Sequence, residues 1–195
     1  MYKIAVFDFD GTITKSDTLL QFIRHSRGAF RLLSGFILFS PFLILMKFGI
    51  FPNWKIKEML FGFYYKGVEI AAFDNWGITF KEYLNNNIRN AVNQKIHHLK
   101  VEGFMIVIIS ASIENWIKPW AEDNGVDIVI ATKAEVEEDK LTGKFSTKNC
   151  YGSEKVRRLL EKFPEREKYY LCAFGDSKGD RELLALADEA YFKVF

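Results

Sequence analysis

The sequence predicts an α/β fold, with a parallel sheet sandwiched by helices and a helical segment inserted after the first strand. Short apolar runs alternate with amphipathic stretches, a pattern typical of strand–helix–strand units. Residues 10–102 separate the first two runs, far more than one crossover helix needs. The 195 residues, 49% hydrophobic and 27% charged, are typical of one globular domain, with or without an insertion.

Four apolar runs are predicted to form the sheet: residues 3–9 (KIAVFDF), 103–109 (GFMIVII), 127–131 (DIVIA) and 169–175 (YYLCAFG). Each run is apolar on both faces, as the central strands of a parallel sheet are. A small or polar residue and then a helical pattern follow each run, so the connections are expected to be right-handed helical crossovers.

The remaining core segments predict helices and one hairpin. Residues 86–100 are expected to return the chain to the sheet as a helix, and 113–125, 153–163 and 181–189 show helical patterns. Residues 132–147 differ, because two polar-alternating runs surround a turn, which indicates a small antiparallel hairpin.

The long insertion is predicted to be a helical cap domain. Residues 17–84 are rich in Phe, Leu, Ile and Gly and show helical periodicity. The α/β core would then comprise residues 1–16 and 85–195. We therefore expect a core that is interrupted once, by the cap.

Residues 32–46 of the cap carry no charge and leave two interpretations open. As a helix they would reach roughly 22 Å, short of the ~30 Å hydrocarbon core of a bilayer, and Pro41 is expected to break or kink them. They are predicted to be a buried helical pair or a helix lying on a membrane surface. Arg24, Arg27 and Arg31 precede them on one helical face, which is either solvated or in contact with anionic headgroups.

Composition excludes several partners and locations. The net charge of +2 is too balanced to argue for nucleic acid. Cys150 and Cys172 fit no C-x-x-C pattern and predict two buried thiols in a reducing compartment. Asp8 and Asp10 fall where a secretory signal would need its apolar stretch, so no signal peptide is expected. We expect a cytoplasmic protein, associated with the inner membrane face if the apolar segment contacts lipid, and the sequence indicates no obligate protein partner.

Three polar clusters follow predicted strands at the points where those strands end. Asp8 and Asp10 end the first strand, Ser110 follows the second, and residues 175–180 (GDSKGD) end the fourth. In open α/β sheets ligands bind beyond the carboxyl ends of the strands, so these clusters are expected to converge on one edge. Ser112, close to Ser110, is expected only to cap the following helix.

The carboxylates in these clusters predict metal-assisted phosphoryl chemistry. Asp8, Asp10, Asp176 and Asp180 would repel one another at one edge, and Mg²⁺, which prefers oxygen ligands, would relieve that repulsion. Asp8 can then attack phosphorus as a nucleophile. Asp10 can protonate the leaving oxygen and afterwards activate the water that hydrolyses the aspartyl phosphate.

Other groups at the same edge are candidate phosphate ligands. Lys155 supplies positive charge at the start of a helix, whose free amides add to it. Ser110 and the amides near Gly11 and Ala111 could hold anionic oxygens, and Thr12 could donate its hydroxyl to the phosphate. Gly11 also permits an unusual turn of the backbone.

These residues resemble the four motifs of the haloacid dehalogenase superfamily of phosphohydrolases. The first motif, D-x-D-G-T, is at residues 8–12; the second is Ser110 after MIVII; the third is Lys155; and the fourth, G-D-x-x-x-D, is at residues 175–180. The motifs occur in family order, and the resemblance covers residues 3–192. It implies a Rossmann-like core with an inserted helical cap.

The resemblance also implies a role for each residue. Asp8 would be the nucleophile and Asp10 the general acid and base. Mg²⁺ would be bound by the side chains of Asp8 and Asp176 and by the backbone carbonyl of Asp10. Asp180 would act through water or by orienting Lys155, beside a simpler role as a cap of the last helix. Lys155 would hold the phosphate together with the serine of the second motif.

The resemblance implies hydrolysis of a phosphomonoester, because dehalogenases and transport ATPases lack an acid at the Asp10 position. The insertion resembles the branch that includes phosphoserine phosphatase. Residues 110–121, 149–159 and 175–195 resemble a bacterial subgroup that contains phosphatidylglycerophosphatase C. The substrate is thus expected to be a lipid phosphate or a soluble small metabolite. A phosphotransferase and a membrane-associated binding protein with a vestigial site are the alternatives.

Overall fold

The computed structural model describes residues 2–195, apart from the side chain of Lys47. Within these residues, five parallel strands form a sheet: β1 (Tyr2–Phe7), β2 (Phe104–Ile113), β3 (Ile128–Thr132), β6 (Tyr169–Gly175) and β7 (Glu189–Phe192). Their order across the sheet is β3-β2-β1-β6-β7. Helices cover both faces, which confirms the predicted fold class.

The alternating side chains of β1 explain why this strand lies at the centre of the sheet. Ile4 and Val6 are buried on one face, and Ala5 and Phe7 are buried on the other. The ring of Phe7 stacks on Phe174 of β6, with ring centroids 4.3 Å apart. A strand buried on both faces requires helices on both sides of the sheet.

Four core helices supply these layers: α5 (Asn90–Val101), α6 (Glu114–Asp123), α7 (Ser153–Lys162) and α8 (Arg181–Leu186). Leu159 of α7 and Leu183 of α8 join the cluster on the face of Ile4 and Val6. The apolar residues of α5 and α6 join the larger cluster on the opposite face.

The predicted last helix, residues 181–189, is too long, and β7 was not predicted. The helix ends at Leu186, and the chain turns into a strand beside β6. The Asp188 carboxylate accepts the N–H of Leu171 at 2.7 Å and a hydrogen bond from Arg166. These contacts to distant residues stabilise the turn, and a local helical pattern does not report them.

The predicted hairpin is confirmed as β4 (Ala134–Glu137) and β5 (Lys140–Phe145). Its turn residues, Glu138 and Asp139, both have positive φ, as a two-residue hairpin loop of the primed type requires. The hairpin packs against the inserted helices through Phe145, whose ring centroid lies 5.2 Å from that of Phe61.

In the described part of the chain, four helices form a cap-like region between β1 and β2: α1 (Thr18–Arg27), α2 (Ala29–Lys47), α3 (Asn53–Tyr65) and α4 (Ile70–Asn85). Phe22 of α1 is central to this region and stacks on Trp116 of α6, with ring centroids 4.6 Å apart. Two connecting segments join the region to the sheet and pair with each other at Thr14 and Ile88.

Pro41 does not break the apolar segment, and the predicted buried helical pair is wrong, because α2 is one continuous and mostly exposed helix. Its 19 residues reach roughly 28 Å. Proline lacks the N–H that would bond the carbonyl four residues earlier, here that of Ile37. The hydroxyl of Ser40 donates to that carbonyl at 2.8 Å, which compensates for the missing bond.

Candidate active site

The carboxyl edge of the sheet brings together three of the four predicted carboxylates. Asp8 directly follows β1, and its N–H donates to the carbonyl of Phe174 at 2.9 Å. Asp176 and Asp180 lie in the loop after β6. One carboxylate oxygen from each of Asp8, Asp176 and Asp180 lies within 4.8 Å of the others.

Lys155 is buried at the centre of this cluster, with only 2% of its surface exposed. It lies in the first turn of α7, and its Nζ donates to Asp8 Oδ1 at 2.5 Å and to Asp180 Oδ1 at 2.6 Å. An ammonium group between two buried carboxylates fixes the positions of both.

The second oxygen of Asp180 organises the loop that carries Asp176. It accepts the N–H of Asp176 at 3.2 Å, the N–H of Ser177 at 3.0 Å and the Ser177 hydroxyl at 2.8 Å. The Asp180 carboxylate thus caps the short turn before α8, rather than α8 itself, and it also orients Lys155.

The side chain of Asp10 lies apart from this cluster. Its Oδ1 accepts the N–H and the hydroxyl of Thr18 at 2.8 and 2.7 Å, and its Oδ2 accepts the hydroxyl of Ser112. The expectation that Ser112 caps α6 is therefore wrong, because Ile113 is the N-terminal cap and Ser112 holds Asp10. The indole N–H of Trp116 donates to the Thr18 hydroxyl at 3.1 Å and fixes this arrangement.

Gly11 and Thr12 contact Asp176. A Cβ on Gly11, whose φ is +83°, would lie 2.3 Å from Asp176 Oδ2, so a larger residue here would be strained and would displace this carboxylate. The hydroxyl of Thr12, a predicted phosphate ligand, donates to Asp176 Oδ1 at 3.4 Å. These two residues therefore position a carboxylate of the cluster.

Ser110 and Ala111 lie at the end of β2, next to Asp10's partner Ser112. Ser110 is buried, and its hydroxyl oxygen accepts the N–H of Ser112 at 3.0 Å, so its own proton can be donated to a bound anion. The Ala111 carbonyl accepts the hydroxyl of Thr132 at 3.1 Å.

The pKa shifts distinguish the two carboxylates that contact Lys155. Burial raises the pKa of Asp8 to about 7, against the lowering effect of Lys155. Burial acts in the same direction on Asp180, but Lys155 and the hydrogen bonds of Ser177 outweigh it and lower its pKa. Burial alone would lower the pKa of Lys155, and both carboxylates raise it above its ordinary value. Of these two carboxylates, Asp8 is therefore the one whose ionised form further positive charge would stabilise more.

This donor set fits a hard divalent cation. Asp8, Asp176 and Asp180 supply three negative charges against the single positive charge of Lys155. Burial, followed by the charge of Asp180, raises the pKa of Asp176, and added positive charge would favour its ionised form. Carboxylate oxygens are the ligands that Mg²⁺ prefers.

A cap residue that the sequence did not indicate also faces the site. Lys57 of α3 lines a narrow cavity beside Ser112, together with Leu19, Ala111, Ile113, Trp116 and Phe145. Burial and Asp17 raise the pKa of Asp10, and the charge of Lys57 acts in the opposite direction. Lys57 belongs to none of the four motifs, so only the folded cap reveals its position.

Comparisons with known proteins identify the family of this chain. Residues 5–185 match the model of the haloacid dehalogenase-like hydrolase family. Protein CicA of Caulobacter vibrioides is 30% identical over 194 residues, which cover 98% of this chain and 86% of CicA.

Solved structures share the fold at lower sequence identity. A protein of unknown function from Bordetella pertussis superposes with a TM-score of 0.82 at 17% identity, covering 95% of this chain and 86% of the other. A phosphoserine phosphatase, solved as a phospho-aspartyl intermediate analogue, superposes with a TM-score of 0.69 at 18% identity, covering 95% and 83%. The chain therefore belongs to the haloacid dehalogenase-like hydrolases.

Proposed function

We propose that this hydrolase is a Mg²⁺-dependent phosphatase of phosphomonoesters that forms an aspartyl phosphate on Asp8. The observation that supports this most strongly is the buried Lys155, which donates to Asp8 and Asp180 beside the carboxylate of Asp176. An ammonium group and a cation site beside a buried carboxylate suit a phosphoryl group, because both positive charges attract its anionic oxygens.

In the proposed reaction, Asp8 attacks phosphorus and the bond from phosphorus to the leaving oxygen breaks. Asp10 donates a proton to that oxygen. It then takes a proton from the water that attacks the aspartyl phosphate, releasing inorganic phosphate and freeing Asp8. The raised pKa of Asp10 favours the protonated form that the first step requires.

The remaining residues would bind and orient the phosphoryl group. Lys155 and Ser110 donate to its oxygens. Asp8, Asp176 and the Asp10 carbonyl are the proposed Mg²⁺ ligands, and the bound ion would neutralise charge on the phosphoryl oxygens. Asp180 keeps Lys155 in place.

A generic aryl phosphate tests this proposal. The wild-type protein should release phosphate only with Mg²⁺, and Asp8→Asn should reduce turnover by about 10³-fold or more, because it removes the nucleophile. Asp139→Asn, the same change in the exposed hairpin turn, is the matched control. Turnover that survives Asp8→Asn would remove the nucleophile assignment. An added alcohol acceptor separates hydrolysis from phosphotransfer by its product.

For the substrate, we propose a lipid phosphate such as phosphatidylglycerophosphate. Residues 17–84 would act as a cap that covers the leaving group, with Lys57 in the cavity beside Asp10. The exposed apolar helix α2 in the same region favours a lipid. A soluble substrate such as phosphoserine is the second candidate, favoured by the fold shared with phosphoserine phosphatase.

A phosphate-release screen separates the two candidates. A lipid substrate predicts that detergent-dispersed phosphatidylglycerophosphate outcompetes phosphoserine, and a soluble substrate predicts the reverse. Unmeasurable turnover across the screen would favour a vestigial site. We also propose a cytoplasmic location, in keeping with the free, buried thiols of Cys150 and Cys172.

A further inference from the structure

Helix α2 presents a large apolar surface, and we propose that it docks this protein on a bilayer that carries anionic headgroups. The helix would lie in the plane of the interface, with its exposed side chains in the boundary between headgroups and acyl chains. This inference rests on the shape and charge of the cap-like region and does not depend on the proposed catalysis.

The helix is apolar around its whole circumference, yet little of it is covered. It is long and apolar enough to qualify as a candidate membrane span, and only 11% of residues 29–46 are buried. One stripe, around Gly35 and Phe39, packs on α3, where the Tyr64 hydroxyl donates to the carbonyl of Leu32 at 3.1 Å. The exposed apolar residues of the helix are Phe30, Leu33, Phe36, Ile37, Leu38, Ile44 and Leu45, and Phe48 and Ile50 directly after its end are exposed too. A surface of this kind marks an interaction site.

The elements on either side of α2 exclude a crossing of the bilayer. Phe22 of α1 packs on Trp116 of the core helix α6, and Phe61 of α3 packs on Phe145 of the hairpin strand β5. Both ends of α2 must therefore stay on the same side of a membrane as the core. A helix lying in the interface meets this condition.

The charges around the helix favour an anionic surface. Residues 18–57 contain six Lys and Arg residues and no Asp or Glu, whereas the rest of the chain carries more acids than bases. Arg24, Arg31 and Lys55 are exposed near the two ends of α2. Arg27 is predicted to lie on the same helical face as Arg24 and Arg31. Its guanidinium carbon instead lies 4.6 Å from the ring centroid of Trp76.

A second copy of the chain fits this surface less well than a bilayer does. A twofold contact between two α2 helices would bring two copies of the same basic, acid-free segment together. Like charges there would repel, whereas anionic headgroups attract them.

Co-sedimentation with vesicles tests the proposal. The wild-type chain should pellet with vesicles of phosphatidylcholine and phosphatidylglycerol and bind those of phosphatidylcholine alone about tenfold more weakly, with the difference shrinking at high salt. The double change Leu33→Glu and Ile37→Glu should weaken binding to the anionic vesicles about tenfold or more. Val101→Glu, at an equally exposed apolar residue of α5, should leave it unchanged.

A second variant and a second readout keep the result interpretable. Arg24→Gln with Arg31→Gln should reduce the preference for anionic vesicles while leaving the apolar surface intact, because four of the six basic residues of this segment remain. A circular dichroism spectrum and a melting temperature equal to those of the wild type show that each variant is folded. Wild-type protein that stays in the supernatant with anionic vesicles would overturn the docking, as would a dimer that Ile37→Glu dissociates. Vesicle binding without turnover would overturn only the catalytic proposal.

Discussion

At the scale of single residues, Asp8 and Asp180 share the ammonium of Lys155 but differ in what surrounds their other oxygens. Asp180 has three further donors, and its pKa is lowered, whereas burial raises the pKa of Asp8 to about 7. This difference suits the proposed roles, because a nucleophile must keep an oxygen for phosphorus, whereas a positioning residue can have both oxygens occupied.

Ser112→Ala tests whether the position of Asp10 matters for proton transfer. The change removes the hydroxyl that donates to Asp10 Oδ2, and we expect kcat to fall roughly 10- to 100-fold with little change in KM. Steady-state kinetics on the aryl phosphate measure both constants. Ser34→Ala, which removes an exposed hydroxyl on α2, should change neither. An unaltered kcat in Ser112→Ala would show that this hydrogen bond is dispensable.

Gly11→Ala tests the contact between Gly11 and Asp176. Gly103→Ala is the control, because Gly103 has a similar φ of +80° but its Cβ would point to open space. Both variants should lose roughly 1 kcal/mol of the free energy of unfolding through backbone strain. Only Gly11→Ala should also raise the Mg²⁺ concentration for half-maximal activity, since its Cβ displaces the Asp176 carboxylate. Equal Mg²⁺ responses in the two variants would contradict this role of Asp176.

The sequence indicated which residues meet at the sheet edge, but not how their side chains are oriented. The three clusters follow strand ends, and parallel topology alone brings Asp8, Asp176 and Ser110 together. Ser112 looks like a local helix cap, and only tertiary structure brings it to Asp10, 102 residues away. Lys57 lies outside every motif, so its position depends on how the inserted helices pack.

At the scale of secondary-structure elements, local patterns predicted buried elements well and exposed ones poorly. The four apolar strands and the hairpin are confirmed, because burial on both faces or a two-residue turn imposes a strong local pattern. Residues 189–192 form a strand only through pairing with β6. Helix α2 continues through Pro41, where the Ser40 hydroxyl donates to the Ile37 carbonyl that the proline nitrogen cannot reach.

Helix α7, which carries Lys155, is anchored by a pair that titrates in acid. Glu154 accepts from Arg158, whose guanidinium also donates to the carbonyls of Ala131 and Lys148. Hydrogen bonds from Arg157, followed by those from Arg158, lower the pKa of Glu154 to about 2. The ionised Glu154 therefore stabilises the folded state. This contribution is complete above the ordinary pKa of 4.5 and is lost as the pH falls towards 2.

Glu154→Gln should therefore flatten part of the acid dependence of stability. We expect it to lower the free energy of unfolding at pH 7 by about 1 kcal/mol, a modest value because Arg157 is exposed. The difference from wild type should shrink between pH 4.5 and 2. Urea titrations at several pH values measure this, with Glu161→Gln on the same helix as the control. A difference that stays constant down to pH 2 would show that Glu154 does not titrate in this range.

At the scale of the whole molecule, the cap-like region and the core together form the site. The core supplies the carboxylates and Lys155, and α3 supplies Lys57 to the cavity beside Ser112. Thr18, at the start of α1, holds Asp10. Any movement of the cap-like helices would therefore change the surroundings of the proposed acid.

Lys57→Met tests this contribution of the cap-like region. We expect KM for the aryl phosphate to rise roughly tenfold, as loss of one charge-assisted contact to an anionic substrate predicts. Lys55→Met, an exposed lysine two positions away on α3, should leave KM unchanged. Equal KM values for the two variants would place the substrate away from this cavity.

The stereochemistry at phosphorus tests the central claim, the covalent intermediate on Asp8, most directly. An aryl phosphate made chiral at phosphorus with oxygen isotopes is hydrolysed or transferred to an acceptor, and the configuration of the product is determined. Two successive in-line displacements, first by Asp8 and then by the acceptor oxygen, predict retention. Inversion would show that the acceptor attacks the substrate directly, and it would contradict an aspartyl phosphate.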